Sequence, residues 1–167
     1  MKYYIFGGNG FVGRYLSNAL IERGENVVVC DILSALDECI NKKAEFINVD
    51  IRNKSAISKI DIMPDDLVIN LAANQYHTRV PKNREEYFYN TNYVGTKNIL
   101  EVMEEKNCMR YLMFTTDMTY GKPQYLPVDI NIRKILLALM DKVKRSVKKY
   151  VGSIDKKVWI LLFFVLV

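Results

Sequence analysis

Residues 3–16 read YYIFGGNGFVGRYL. An apolar and aromatic run leads into glycines at 7, 10 and 13, and a helix-like pattern follows. The spacing G-x-x-G-x-x-G after a strand and before a helix has a physical reading. Gly7 permits a tight turn. Gly10 lets the backbone approach a pyrophosphate. Gly13 lets helix and strand pack closely. The helix then offers free N–H groups and the positive end of its dipole to phosphate. A glycine triplet alone is weak evidence, because glycine turns are common.

A second element strengthens it. Asp31 closes the run NVVVCD, 18 residues after Gly13. An acidic residue about 20 residues beyond the glycines can hold the ribose hydroxyls of NAD, and it would repel the extra phosphate of NADP. The competing reading of Asp31 is a helix cap or a solvated turn residue.

Outward from this unit the pattern repeats. KYYIF, NVVVCD, AEFINVD, DLVINLAA and RYLMFTT are short strand-like runs, and helical segments lie between them. FVGRYLSNALIERG ends in Gly24 as a cap. NTNYVGTKNILEVMEEKN carries Val94, Ile99 and Val102 on an apolar face. This alternation predicts a Rossmann-like, doubly wound parallel sheet with helices on both faces. The chain has 167 residues, half of them hydrophobic, enough for one core. Cys30, Cys39 and Cys108 form no paired or metal-ligand spacing and suggest a reduced, cytoplasmic protein. MKYYIFGGNG has too short an apolar run for a signal peptide.

The net charge of +5 is unevenly placed. Residues 1–131 hold 15 Lys+Arg and 17 Asp+Glu, whereas residues 132–167 hold nine Lys+Arg and two Asp. A step of this kind marks a domain boundary or an appended segment.

Several motifs together resemble the NAD-dependent epimerase/dehydratase family of extended short-chain dehydrogenase/reductases. The resemblance covers residues 1–131. GGNGFVG matches the cofactor loop, with Gly7, Gly10, Phe11, Val12 and Gly13. VDIRN follows the third strand and would set Asp50 and Ile51 at the adenine. NLAA ends the fourth strand, where Ala72 and Ala73 would line the cofactor. NTNYVGTKNIL would supply Asn92 to order the site. FTTDMTYG matches the fifth strand, with Thr115 beside the cofactor and Thr116 in place of the catalytic Ser/Thr. The resemblance implies NAD as cofactor, a nucleotide sugar as substrate and a homodimer as a permitted assembly. Plainer readings stand beside these: Asp50 as a turn residue, the alanines as core filler, the threonines as strand residues. His77, the only histidine, lies in a polar loop and receives no role.

The family's chemistry needs Tyr-x-x-x-Lys some 20–25 residues past the fifth-strand motif. The tyrosine is the acid/base. The lysine holds the nicotinamide ribose and lowers the tyrosine's pKa. Beyond that motif, Tyr120, Tyr125 and Tyr150 are followed four residues later by Gln124, Asp129 and Ile154. The genetic code suggests where the pair went. With one base lost at codon 132, the original frame takes the last base of each present codon and two of the next. Met140–Asp141 then forces glycine, Asp141–Lys142 forces glutamine, and Lys142–Val143 gives serine or glycine. Leu139–Met140 allows tyrosine, and Val143–Lys144 allows lysine. The family's N-P-x-G-P-Y-G-x-S-K reappears. Residues 132–167 thus read as out-of-frame translation, with the C-terminal substrate domain missing.

Taken at face value, the tail is different. Ile132, Leu136, Leu139, Val143 and Val147 recur at helical spacing beside Lys144, Arg145, Lys148 and Lys149, a basic amphipathic helix suited to an acidic membrane surface or partner. VWILLFFVLV, at ten residues, is too short to span a membrane and could be a buried strand or an interfacial anchor. Charge without interleaved aromatics argues against nucleic acid.

Overall fold

The computed structural model describes residues 1–33, 43–75, 80–116, 125 and 159–165, with the backbone alone at 115–116 and 159–165. Among the described residues six strands form one parallel sheet: β1 (Lys2–Phe6), β2 (Asn26–Asp31), β3 (Glu45–Asn48), β4 (Leu67–Asn70), β5 (Arg110–Thr116) and β6 (Trp159–Val165). Their order is β3-β2-β1-β4-β5-β6. The order reverses direction between β1 and β4, the switch point where open α/β sheets bind ligands beyond the carboxyl ends of their strands.

The inner strands read as continuous apolar runs because both faces are covered. On one face Ile5, Val27, Val29 and Ile69 pack with Leu16, Leu20 and Ile21 of α1 (Phe11–Glu22). On the other, Tyr4, Phe6, Val28, Val68, Tyr111 and Met113 pack with Ile57 of α2 (Lys54–Ser58) and with Ile99, Leu100, Val102 and Met103 of α4 (Thr96–Glu105). Helices on both faces are what the alternation predicts. The helix α1 ends as expected: Gly24 takes φ 81°, and Gly24 N and Glu25 N donate to Ile21 O and Leu20 O. This double bond pattern across a left-handed glycine stops the helix.

The helix expected from residue 91 begins earlier. α3 (Arg84–Phe88) leads into a π-helical turn, Tyr89–Gly95, which continues into α4. The apolar run near the C-terminus forms β6, parallel to β5 in register from Arg110↔Trp159 to Thr116↔Val165. Of the two readings of that run, strand or interfacial anchor, the structure has the strand. The basic helix read at 132–147 lies outside the described residues.

This pairing carries a prediction. A chain ending at residue 131 leaves the β5 edge uncovered along seven residues. Unpaired strand edges recruit other chains. The truncated chain should melt lower than the full chain and self-associate. Thermal melts and sedimentation of both test this, and a monomeric, equally stable 1–131 would refute it.

Candidate functional site

The chain leaves β1 at Phe6 and turns at Gly7, whose φ is 76°. A Cβ there would lie 2.6 Å from Ala72 N and 2.7 Å from Ala72 Cα. The loop after β1 and the exit from β4 therefore touch backbone to backbone, which only glycine allows. Gly8 is as constrained, since a Cβ would come within 2.8 Å of Ile5 O. The G-x-x-G-x-x-G spacing leaves Gly8 out.

Gly10 is the N-cap of α1 with no side chain capping it. A Cβ on Gly10 would approach only Gly7 O, at 3.2 Å, so the outer side of the loop is open. The first N–H groups of a helix have no partner within it. Here those of Phe11 and Val12 begin α1, and the two residues are 80% and 40% exposed. The arrangement suits a phosphate, which would accept these N–H bonds at the positive end of the dipole.

Asp31 stands at the end of the neighbouring strand, half-buried. Its Oδ2 accepts from Asn9 N at 3.0 Å and its Oδ1 from Leu33 N at 3.1 Å. The carboxylate thus clamps the glycine loop. Each oxygen retains a lone pair, since a carboxylate offers about four acceptor sites. Asn9 is buried, donates through Nδ2 to Leu33 O, and accepts from Arg14 Nε at 3.2 Å. A ribose diol could join this set, beside a phosphate at the start of α1.

Asp50 follows β3. The Arg52 guanidinium donates to it at 2.9, 3.0 and 2.6 Å, and this bonding holds its carboxyl below the usual range. Ile51, expected at the adenine, is 5% exposed. Its side chain packs on Gly95, where a Cβ would lie 2.4 Å from Ile51 Cδ1. The Ile51 side chain is thus turned into the core, and its carbonyl accepts from Asn98 Nδ2 at 2.9 Å.

Beyond β4, Ala72 and Ala73 are half-buried on the segment that touches Gly7. Asn70 orders this exit. Its Oδ1 accepts from Ala72 N, and its Nδ2 donates to Thr96 Oγ1 and to the Tyr111 hydroxyl, each at 3.1 Å. Complete burial pushes the Tyr111 phenol up, so it stays neutral. Asn92 is 2% exposed. Its Oδ1 accepts from Asn74 N at 2.7 Å and its Nδ2 donates to Asn74 O at 3.1 Å. It sits inside the π-helical turn, a geometry found often at functional sites.

Thr115 and Thr116 end β5, at the same edge of the sheet as these loops. Gly7, Gly10, Phe11, Val12, Gly13, Asp31, Ala72, Ala73, Thr115 and Thr116 thus gather along the carboxyl edge of β1, β2, β4 and β5. His77 and Tyr120 lie outside the described residues. One Tyr-x-x-x-Lys spacing exists in the chain, Tyr93–Lys97, before β5 rather than after it. Tyr93 packs against the core, and Lys97 Nζ pairs with Glu101 at 3.5 Å. Among the described residues no group of three His, Cys, Asp or Glu is placed to hold a metal. No helix among them is long and apolar enough to cross a membrane.

Comparison with known proteins agrees with this geometry. "Putative UDP-glucose 4-epimerase" of Methanocaldococcus jannaschii is 37% identical over 129 residues, 76% of this chain and 42% of that protein. The chain therefore matches about two fifths of such a relative's length. A crystal structure of UDP-glucose 4-epimerase superposes with a TM-score of 0.84 at 24% identity, covering 98% of this chain and 51% of that one. The Brucella ovis UDP-glucose 4-epimerase in complex with NAD gives 0.83 at 20% identity, covering 98% and 51%. These two share the fold. Residues 3–136 match the NAD dependent epimerase/dehydratase family, and the chain belongs to that family.

Proposed function

We propose that the chain is the NAD-binding portion of a nucleotide-sugar epimerase/dehydratase, and that the 167-residue form does not turn over substrate. One observation carries the binding half: the Gly7 backbone is pressed against Ala72 while the start of α1 is open and Asp31 closes the next strand. The names of the relatives favour a UDP-sugar as the class of substrate.

In this reading the N–H groups of Phe11 and Val12 take the pyrophosphate, with Gly10 and Gly13 giving room. Asp31 accepts the adenosine ribose hydroxyls. Asp50 and the Ile51 backbone border the adenine. Ala72, Ala73 and Thr115 line the far half, and Asn92 fixes the loop that carries them. Bound NAD would supply a nicotinamide carbon able to take up and return a hydride. Thr116 would orient the sugar hydroxyl, but the sequence after β5 has no Tyr-x-x-x-Lys pair to take the proton. The division at residue 131 belongs to the same proposal. Residues 1–131 form the dinucleotide-binding unit, and residues 132–167 are out-of-frame translation whose apolar run still adds a strand. A peripheral membrane role for the tail would rest on the basic helical pattern at 132–147, because 159–165 pair with β5.

Titration with NAD and NADP tests the reading. NAD should bind more tightly, because a 2′-phosphate would face the Asp31 carboxylate. Asp31→Asn keeps an oxygen for the loop but removes the charge. It should weaken NAD about tenfold, since hydrogen bonds to charged groups are worth roughly 1.5–3 kcal/mol, and it should narrow the preference. Equal affinity for both cofactors in the unmodified chain would refute the role of Asp31.

A further inference from the structure

Asn74 makes contacts that neither the glycine loop nor the fifth-strand motif requires. Its backbone N–H and C=O are both taken by the Asn92 side chain, at 2.7 and 3.1 Å. Its own Nδ2 donates to Tyr87 O at 2.8 Å and to Thr91 Oγ1 at 2.9 Å. Four hydrogen bonds thus tie one residue of the loop after β4 to the helical segment opposite. Tyr87 lies two residues before the π-helical turn, where the ladder lengthens to five-residue steps. A side chain inserted at such a change is one of the few causes that bend or widen a helix.

We infer that Asn74 is a positioning residue for the nicotinamide half of the cofactor. The inference rests on the dinucleotide reading above. Asp31 fixes the adenosine half over β2, so the other half must cross β1 toward β4 and β5. The wall it meets there is Ala72–Asn74. Two bonds from Asn92 hold the backbone of that wall, and two from the Asn74 amide hold the turn that presents Asn92. Removing the amide lets the turn relax and the wall shift together. None of these four bonds reaches residues 7–13 or Asp31, which hold the adenosine half, and Ala72, which touches Gly7, is held separately by Asn70.

The test separates the halves. The full chain and its Asn74→Ala variant are titrated with NADH, followed by its fluorescence, and with ADP-ribose, which lacks nicotinamide. Asn74→Ala should weaken NADH about tenfold, the scale of one or two lost hydrogen bonds, and leave ADP-ribose within about twofold, as expected for separate sites. Asn74→Asp keeps the size but cannot donate when ionised. Its NADH affinity relative to the unmodified chain should be poor at pH 8 and recover as the new carboxyl protonates. Equal losses for both ligands would make Asn74 merely structural, and an unchanged NADH affinity or a pH-independent Asn74→Asp would overturn the inference. An unmodified chain that binds neither ligand would instead sink the dinucleotide reading itself.

Discussion

Given NAD and a panel of UDP-sugars, the 167-residue chain is expected to show no interconversion, while the gene with one base restored at codon 132 yields an active protein. The chemistry requires a group that removes a hydroxyl proton as the hydride leaves. Thr116 cannot do so at neutral pH, because an isolated hydroxyl is far too weak an acid to be a base in its ionised form. Loss of a positioned acid/base typically lowers the rate by about 10²–10⁴. Loss of substrate positioning can add roughly 7–11 kcal/mol to the barrier. Tyr93–Lys97 does not substitute: it lies before β5, the tyrosine packs half-buried against the core, and the lysine pairs with Glu101. At the slot where the restored frame permits tyrosine, the present chain has Met140. Turnover by the 167-residue chain would refute its inactivity. A restored frame that does not encode tyrosine and lysine four residues apart would refute the frame argument, whatever the activity.

The strands were legible because parallel strands covered on both faces are unbroken apolar runs. NVVVCD and RYLMFTT match β2 and β5 residue for residue. The glycine triplet was legible because its spacing reflects three separate backbone needs. What escaped is tertiary. α2 has five residues, fewer than two helical turns, and shows no period. α3 reads REEYF, where three charged or polar positions hide the helix that Phe88 anchors. The π-helical turn is bonded by Asn74, a residue about 15 positions away in sequence and adjacent only in the fold. Gly8 looked like a filler between two motif glycines, and only the distance to Ile5 O shows why it must be small. Asp31 was read for a ligand, yet its first task is holding Asn9 N and Leu33 N. The two roles are compatible: a carboxylate already oriented by the backbone needs no ordering when a ribose arrives.

Gly13→Ala should be strongly damaging to the cofactor loop. A Cβ at position 13 would lie 2.5 Å from Gly8 Cα, 2.5 Å from Gly8 O and 2.6 Å from Gly7 O. All three are backbone atoms of the turn, so no flexible side chain can yield. Either the loop or the first turn of α1 must move. The loop is held by Gly7 N to Cys30 O at 2.8 Å and by Asn9 N to Asp31. The helix is held by Leu16, Leu20 and Ile21 in the core. Inserting a methylene into packing of this kind costs about 1–3 kcal/mol, and more where nothing can relax. For a domain of this size each kcal/mol lowers Tm by about 2–4 °C, so a fall on the order of 5–10 °C is expected. NAD affinity should fall further than stability does, because the displaced turn carries the N–H groups proposed to meet the pyrophosphate. Gly24→Ala is the control. Its φ of 81° disfavours alanine, but nothing lies within 4 Å of its Cβ. It should lower Tm by a few degrees, about 1 kcal/mol of backbone strain, and leave NAD binding unchanged. Thermal melts and NAD titrations of both variants decide the matter. If Gly13→Ala melts no lower than Gly24→Ala and binds NAD as the unmodified chain does, close packing at residue 13 is not what shapes the loop.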